Sequence, residues 1–253
     1  MDSSFKRSIR IAARSLWLVV EVILALLRFA GLMAVHAGIP HCTARTRWLQ
    51  NVCLRALHVF HIELRTIGPI PSSGLLVCNH LSYLDILVLG AIAPCVFVSK
   101  CEVRRWPVFG WFASLAGTLF LRREKRSDVA RMSREMRRAL DTGALVVLFP
   151  EGTTSDGRAV LPFKSSLLEA ATGRPHGLSA GVIEYALNDG SVADEVCYWR
   201  DMTLAPHLLN LLGKRGLEAQ LRFTRLRHAS PDRKQLARQL HSEVVRLKQT
   251  FAV

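Results

Sequence analysis

Apolar positions crowd the start of the chain and then break into short runs. Residues 15–39 read SLWLVVEVILALLRFAGLMAVHAGI. That is long enough to cross a bilayer core, which takes about 20 residues. Glu21 and Arg28 interrupt the run seven positions apart, so they share one helical face. A lone charge at the bilayer centre is costly. The pattern therefore predicts a tilted helix, half of a helical pair with its polar face covered, or a helix lying in the interface. Lys6, Arg7, Arg10 and Arg14 precede it, a flank suited to anionic lipid. A cleaved signal peptide is the competing reading, but the run is too long and no small-residue cleavage site follows cleanly. A second stretch, Trp48 to Ile62, sets Trp48, Leu49, Val52, Leu54, Leu57, Val59 and Phe60 among Arg55, His58 and His61. It reads equally as a second membrane-binding helix or as an ordinary packing helix.

From about residue 63 the periodicity alternates between strand and helix. Strands are predicted at 75–78, 96–98, 118–121 and 145–149, and near 180–187, 195–199 and 217–224. Helices are predicted at 81–91, 106–116 and 128–142. Ser127 or Asp128 is the expected cap of the last of these, with Met132, Met136 and Leu140 on its apolar face and Gly143 at its end. A final helix should start at Ser230-Pro231-Asp232, with serine as cap and proline first, and carry Leu236, Leu240, Val244 and Leu247 on one stripe. Strands alternating with helices imply a sheet covered by helices. Residues 1–62 read as membrane-associating helices and 63–253 as one catalytic domain.

Composition narrows the partners. Half of the 253 residues are apolar, enough for one sizeable core. The net charge of +14 calls for nucleic acid, an anionic membrane or phosphate-bearing substrates. The mean hydropathy of +0.21 points to the membrane. Cysteines at 42, 53, 78, 95, 101 and 197 have no Cys-x-x-Cys or zinc spacing and read as reduced, mostly buried thiols facing the cytosol. Arginines 104, 105, 122, 123, 131, 134, 137 and 138 are dense but lack a nucleic-acid-binding motif and a regular aromatic interleave. Nucleic acid is therefore not an expected partner.

Three segments carry chemistry. Asn79-His80-Leu81-Ser82-Tyr83-Leu84-Asp85 follows a buried strand. If His80 lies in the turn and Asp85 in the first helical turns, Asp85 can reach back to one imidazole nitrogen. The other nitrogen is then left to take a proton from a substrate hydroxyl. A histidine capping the helix is the plainer alternative. In Gly117-Thr118-Leu119-Phe120-Leu121-Arg122-Arg123 a strand ends in two arginines, whose forked donors suit phosphate. In Phe149-Pro150-Glu151-Gly152-Thr153-Thr154-Ser155 a buried strand ends in a turn where Gly152 permits close approach and backbone N–H groups can hold an anion. Glu151 there could orient Arg123 or bond a substrate hydroxyl.

Together, in this order and spacing, the segments resemble the glycerolphosphate acyltransferase superfamily, and especially the 1-acylglycerol-3-phosphate acyltransferases. The matches are Asn79, His80 and Asp85; Gly117, Phe120 and Arg123; and Phe149 to Thr153 with Ser155. The resemblance covers about residues 63–225. It implies an α/β fold, a helix-covered mixed sheet with an N-terminal membrane-binding helix pair. It further implies His80 and Asp85 as the catalytic pair and Arg123 with the 151–153 turn as holders of the acceptor's phosphate. Asn79, Gly117, Phe120, Glu151, Gly152 and Thr153 are likewise implied as substrate-binding positions, and Lys100 and Lys164 resemble family positions near the site. Acyl-CoA or acyl-carrier protein is the implied donor and a lyso-lipid the implied acceptor, with no metal or bound cofactor, at the cytoplasmic face of a bacterial inner membrane. Two departures bear on the acceptor. Arg122 stands where the family usually has an acid, and Leu178 to Leu187 lacks the family's proline. Tyr198-Trp199-Arg200-Asp201-Met202 resembles bacterial members that complete ornithine lipids. A transacylase of the same fold, taking its acyl group from another phospholipid, is the alternative reaction.

Overall fold

A computed structural model describes residues 3–39, 41–122, 126–173 and 176–251. Its strands are β1 (Ile62–Ile67), β2 (Gly74–Cys78), β3 (Cys95–Lys100), β4 (Leu119–Leu121), β5 (Leu145–Leu148), β6 (Leu178–Ala186) and β7 (Leu217–Arg225). Among the described residues they form one sheet in the order β1-β7-β6-β2-β5-β3-β4. Only β6 and β7 pair antiparallel, so the sheet is mixed. The central strands β2 and β5 are buried along their whole length, as their continuous apolar runs require.

Strand alternation divides the core in two. Leu76, Cys78, Val147 and Phe97 point to one face, and Leu75, Val77, Val146 and Leu148 to the other. The first face is covered by α1 (Ser3–Val35), α2 (Cys42–Phe60), α3 (Leu84–Ile92), α4 (Phe109–Ala116) and α7 (Leu204–Gly213). The second is covered by α5 (Arg126–Asp141) and α8 (Arg233–Gln249). The expected stripes, Met132, Met136 and Leu140 on α5 and Leu236, Leu240, Val244 and Leu247 on α8, are buried there.

Several expectations need correction. The strand predicted at 195–199 does not form. A short helix, α6 (Val192–Glu195), capped by Ser191, occupies its start, and Val196 and Cys197 are buried without a strand partner. Both edges of β6 are already taken, by β2 and β7, so no pairing position was left beside it. The edge strand β1 was missed because its IELRTI sequence buries only Ile62 and keeps Glu63 and Arg65 outside, as exposed edges do. The helix α7 was missed too. The final helix is capped by Asp232, which accepts from the N–H groups of Lys234 and Gln235, rather than by Ser230. The helix expected from 128 starts at Arg126, and Asp128 accepts instead from the N–H of Arg122 and from Arg131. The helix expected over 81–91 begins at Leu84, and the one over 106–116 at Phe109 after a tight turn of Cys101–Arg105.

Of the three forms the N-terminal pattern allowed, the structure adopts the helical pair, with the polar face covered at Glu21 while Arg28 stays exposed. Helix α1 has 33 residues. Arg10 donates to the carbonyl of Gly213, and Arg14 to those of Leu212, Lys214 and Arg215, at the carboxyl end of α7. Cations are favourable at such an end. Glu21 is ion-paired with Arg55 of α2 and accepts from the indole N–H of Trp17. Trp48 of α2 donates to the carbonyl of Ala25 at 3.0 Å. On the opposite face of α1, Leu16, Val19, Val20, Ile23 and Leu27 stand exposed. A long apolar helical face of this kind associates with a membrane.

Candidate active site

Because β2, β5, β3 and β4 run parallel, their carboxyl ends lie along one margin of the sheet. Asn79-His80 follows β2, the Phe149–Thr153 turn follows β5, Lys100 closes β3 and Arg122 follows β4. Ligands of open α/β sheets gather at this margin. The three sequence segments, spread over about 75 positions, thus converge because their strands share one direction.

His80 Nδ1 lies 2.7 Å from Oδ2 of Asp85. The same oxygen accepts the N–H groups of Leu81 at 2.7 Å and Ser82 at 3.0 Å. A carboxylate only accepts, so Nδ1 carries the hydrogen and Nε2 is left with its lone pair. Asp85 is fully buried in the first turn of α3, whereas the His80 side chain is 21% exposed. The imidazole stacks on Phe149, with centroids 4.1 Å apart. Ser155 donates its N–H to the carbonyl of His80 at 3.0 Å, which fastens the third segment to the first. The helix-capping alternative for His80 is not what forms.

The other expected residues divide. His80, Lys100, Gly152 and Thr153 line a cavity of about 280 Å³. Much of its lining is apolar and aromatic, including Ile86, Leu87, Val103, Trp106, Phe109 and Ala113. Lys164 lines an adjoining cavity of about 250 Å³ with Leu121, Val129 and Ser166, and the two share Val98, Ser99, Phe149 and Gly152. Gly152, at φ +75°, adopts the left-handed conformation that the turn needs.

Asn79, Gly117, Phe120 and Glu151 are placed otherwise. Asn79 is buried, and its amide is spent on the main chain of Ile183 in β6. Gly117 ends α4 at φ +85° against the Arg45 guanidinium. Phe120 lies in β4 under the Arg104 guanidinium, 5.9 Å from its ring centre. Arg123 lies outside the described residues.

Glu151 faces inward: it is 3% exposed, and neither carboxylate oxygen has a hydrogen-bond partner. It therefore does not reach a substrate hydroxyl in this arrangement. Burial pushes its carboxyl up to about 8. The N–H groups of His80 and Leu161 pull the other way without reaching hydrogen-bond geometry, and the Asp85 carboxylate raises it further. A neutral Glu151 avoids a buried, unpaired charge.

Two amides of the turn are already committed, Gly152 to the carbonyl of Phe149 and Ser155 to that of His80. The N–H groups of Thr153 and Thr154 have no acceptor among the described residues, and both residues line the His80 cavity. The sequence had pointed to the turn and not to which amides remain.

Residues missed from the sequence are tyrosines and a histidine. Tyr185 of β6 donates to Asp85 Oδ1 at 2.7 Å. Tyr83 bonds His207 Nδ1 at 3.0 Å, and His207 Nε2 lies 3.2 Å from the Cys197 carbonyl, which fixes the ring beneath the cavity wall. Burial lowers the pKa of His207, so it stays neutral. The available signal was a tyrosine inside an apolar strand, since a buried phenol needs a partner.

The acyltransferase family profile matches residues 61–175. The lyso-ornithine lipid O-acyltransferase of Brucella abortus is 37% identical over 76% of this chain and 78% of its own length. The 1-acyl-sn-glycerol-3-phosphate acyltransferase of Neisseria gonorrhoeae is 33% identical over 68% of this chain and 72% of its own. The crystal structure of the 1-acyl-sn-glycerophosphate acyltransferase of Thermotoga maritima superposes with a TM-score of 0.71, at 18% identity, over 100% of this chain and 98% of that one. At that identity the superposition speaks for the fold.

Proposed function

The chain belongs to the acyltransferase family, and on that premise we propose that it esterifies the free hydroxyl of a lyso-lipid at a membrane, with His80 as general base. The observation that carries this is the His80–Asp85 pair at 2.7 Å, with His80 lining a cavity whose wall is largely apolar and also holds Lys100, Thr153 and Thr154. The acceptor hydroxyl gives its proton to His80 Nε2 as its oxygen attacks the donor thioester carbonyl. The N–H groups of Thr153 and Thr154 then meet the developing oxyanion. The intermediate collapses by breaking the carbon–sulfur bond, and the imidazolium returns its proton to the leaving thiolate. The apolar lining of the cavity, Ile86, Leu87, Val103, Trp106, Phe109 and Ala113, takes the acyl chain.

Lys100 and Lys164, which line the two cavities, supply positive charge for an anionic head group or the donor's phosphates, and Arg123 is assigned the acceptor's phosphate from the family resemblance alone. Holding the reacting atoms in place contributes several kcal/mol, at most roughly 7–11. Transfer needs no metal or bound cofactor in this scheme. Residues 1–62 attach the enzyme to an anionic membrane and 63–253 carry out the transfer, at the cytoplasmic face of a bacterial inner membrane. Lyso-ornithine lipid is the first acceptor to test, because relatives of that name match at 37% identity against 33% for the lysophosphatidate type.

The test is transfer of a radiolabelled acyl group by the purified, detergent-solubilised chain. Acyl-CoA and acyl-carrier protein are each paired with lyso-ornithine lipid and with lysophosphatidate. A diacyl product that vanishes in His80→Ala is expected. Appreciable transfer by folded His80→Ala would remove His80 as base, and product without any thioester donor would favour the transacylase reaction.

A further inference from the structure

The mechanism above leaves Tyr185 unused, yet its place is specific. Its phenol O–H donates to Oδ1 of Asp85 at 2.7 Å from 100 residues along the chain. Asp85 is 0% and Tyr185 8% exposed. The donors to this carboxylate divide unevenly. His80, Leu81 and Ser82 all fall on Oδ2, and Tyr185 alone among the described residues holds Oδ1. The last torsion of an aspartate is broad, so a carboxylate gripped at one oxygen can still turn. A donor on the second oxygen stops that rotation.

Tyr185 reaches this point because of Asn79. The Asn79 amide exchanges two hydrogen bonds with the main chain of Ile183, and Tyr185 is two residues further on the same face of β6. The residue beside His80 therefore sets the strand position that brings the phenol to the partner of His80.

We propose that Tyr185 is a positioning residue for acyl transfer, acting through Asp85 to hold His80 in the tautomer and orientation that leave Nε2 toward the cavity. The proposal rests on His80 being the base. Tyr185 lines neither cavity, so it does not touch substrate. Burial and the adjacent Asp85 carboxylate push its phenol well above its ordinary range, so it remains a donor and does not give up its proton. Besides His80, three further titratable groups facing Asp85 are held toward uncharged forms. Burial raises the thiols of Cys78 and Cys197 and the carboxyl of Glu151.

Loss of the phenol would leave more of the Asp85 charge to act on His80. That charge favours the imidazolium, which cannot accept a proton, so the acid limb of the pH–rate profile should move to higher pH. Tyr185→Phe in the full-length, detergent-solubilised enzyme tests this, since the ring and its packing remain. The expected result is a kcat lower by about tenfold, KM values for acceptor and donor within about twofold, and an acid limb displaced upward by about half a pH unit. A wild-type kcat with an unmoved profile would overturn the proposal. So would a loss of rate that follows the folded fraction alone, with the profile in place. His80→Ala, assayed alongside, separates the two readings. If it stays active, the base assignment fails whatever Tyr185 does. If it is inactive while Tyr185→Phe is normal, only the role of Tyr185 fails.

Discussion

The side chain of Asn79 grips the main chain of Ile183 in both directions, donating from Nδ2 to its carbonyl at 3.0 Å and accepting its N–H on Oδ1 at 2.8 Å. The resemblance implied Asn79 as a substrate contact, but its polar atoms face the sheet. Asn79→Ala leaves a buried N–H and a buried carbonyl unpaired, which costs about 1–3 kcal/mol for each. A drop in the denaturation midpoint together with a lower kcat is expected. A fully stable Asn79→Ala that is impaired only in acceptor KM would restore the substrate role.

Glu151 should make stability depend on pH. Its folded carboxyl titrates at about 8, against an ordinary value of 4.5. Between those values the folded protein keeps a proton that the unfolded chain has released, so this group lowers stability progressively as pH rises from about 4.5 to about 8. Glu151→Gln removes the dependence. Thermal midpoints of the two proteins should diverge in favour of the glutamine variant across that window, by about 10 °C at its upper end, and run parallel above it. A constant difference at all pH values would show that the carboxyl titrates normally.

The unpartnered face of α1 should carry the membrane affinity. Val20 and Leu27 are 44% and 62% exposed and make no part of the core. Replacing both with glutamate removes about 1.5–3 kcal/mol of apolar insertion each and adds charge where lipid would sit. Co-sedimentation with anionic vesicles should fall at least tenfold, while transfer to a short-chain acceptor in detergent persists. Unchanged vesicle binding would move the membrane contact elsewhere.

Ala113 lies in α4 at the apolar part of the His80 cavity. Ala113→Phe should fill that space and shift donor preference to shorter acyl chains, by about tenfold in relative kcat/KM against the longest chain used. Competition between two chain lengths in one reaction reads this directly. An unaltered preference would place the acyl chain in the adjoining cavity of Lys164.

Much of the fold and part of the site could be read from the chain. The apolar runs of β2 and β5 need both faces covered, and the stripes of α5 and α8 supply covers. The five-residue step from His80 to Asp85 is a local matter, decided by a turn and the start of a helix, and the pair formed as expected. The segment 195–199 was misread because an apolar run specifies burial and not the partner that provides it. The placing of Glu21 and Arg28 on one helical face told that the face would seek polar partners or water, and Arg28 stays exposed. It did not tell that Glu21 would find Arg55, or that Arg14 would end on the carbonyls after α7.

By itself, then, the sequence determined the periodic elements, the short-range His80–Asp85 pair, the turn after β5 and the apolar N-terminal helix, all of which depend on residues a few positions apart. The tertiary structure alone decided that β6 runs past the end of β2, that Asn79 spends its amide there, that Tyr185 meets Asp85, and that Glu151 turns inward without a partner. These follow from strand order and register, where side chains about a hundred residues apart meet because the hydrogen-bonded ladder places them. No local pattern encodes the distance between them.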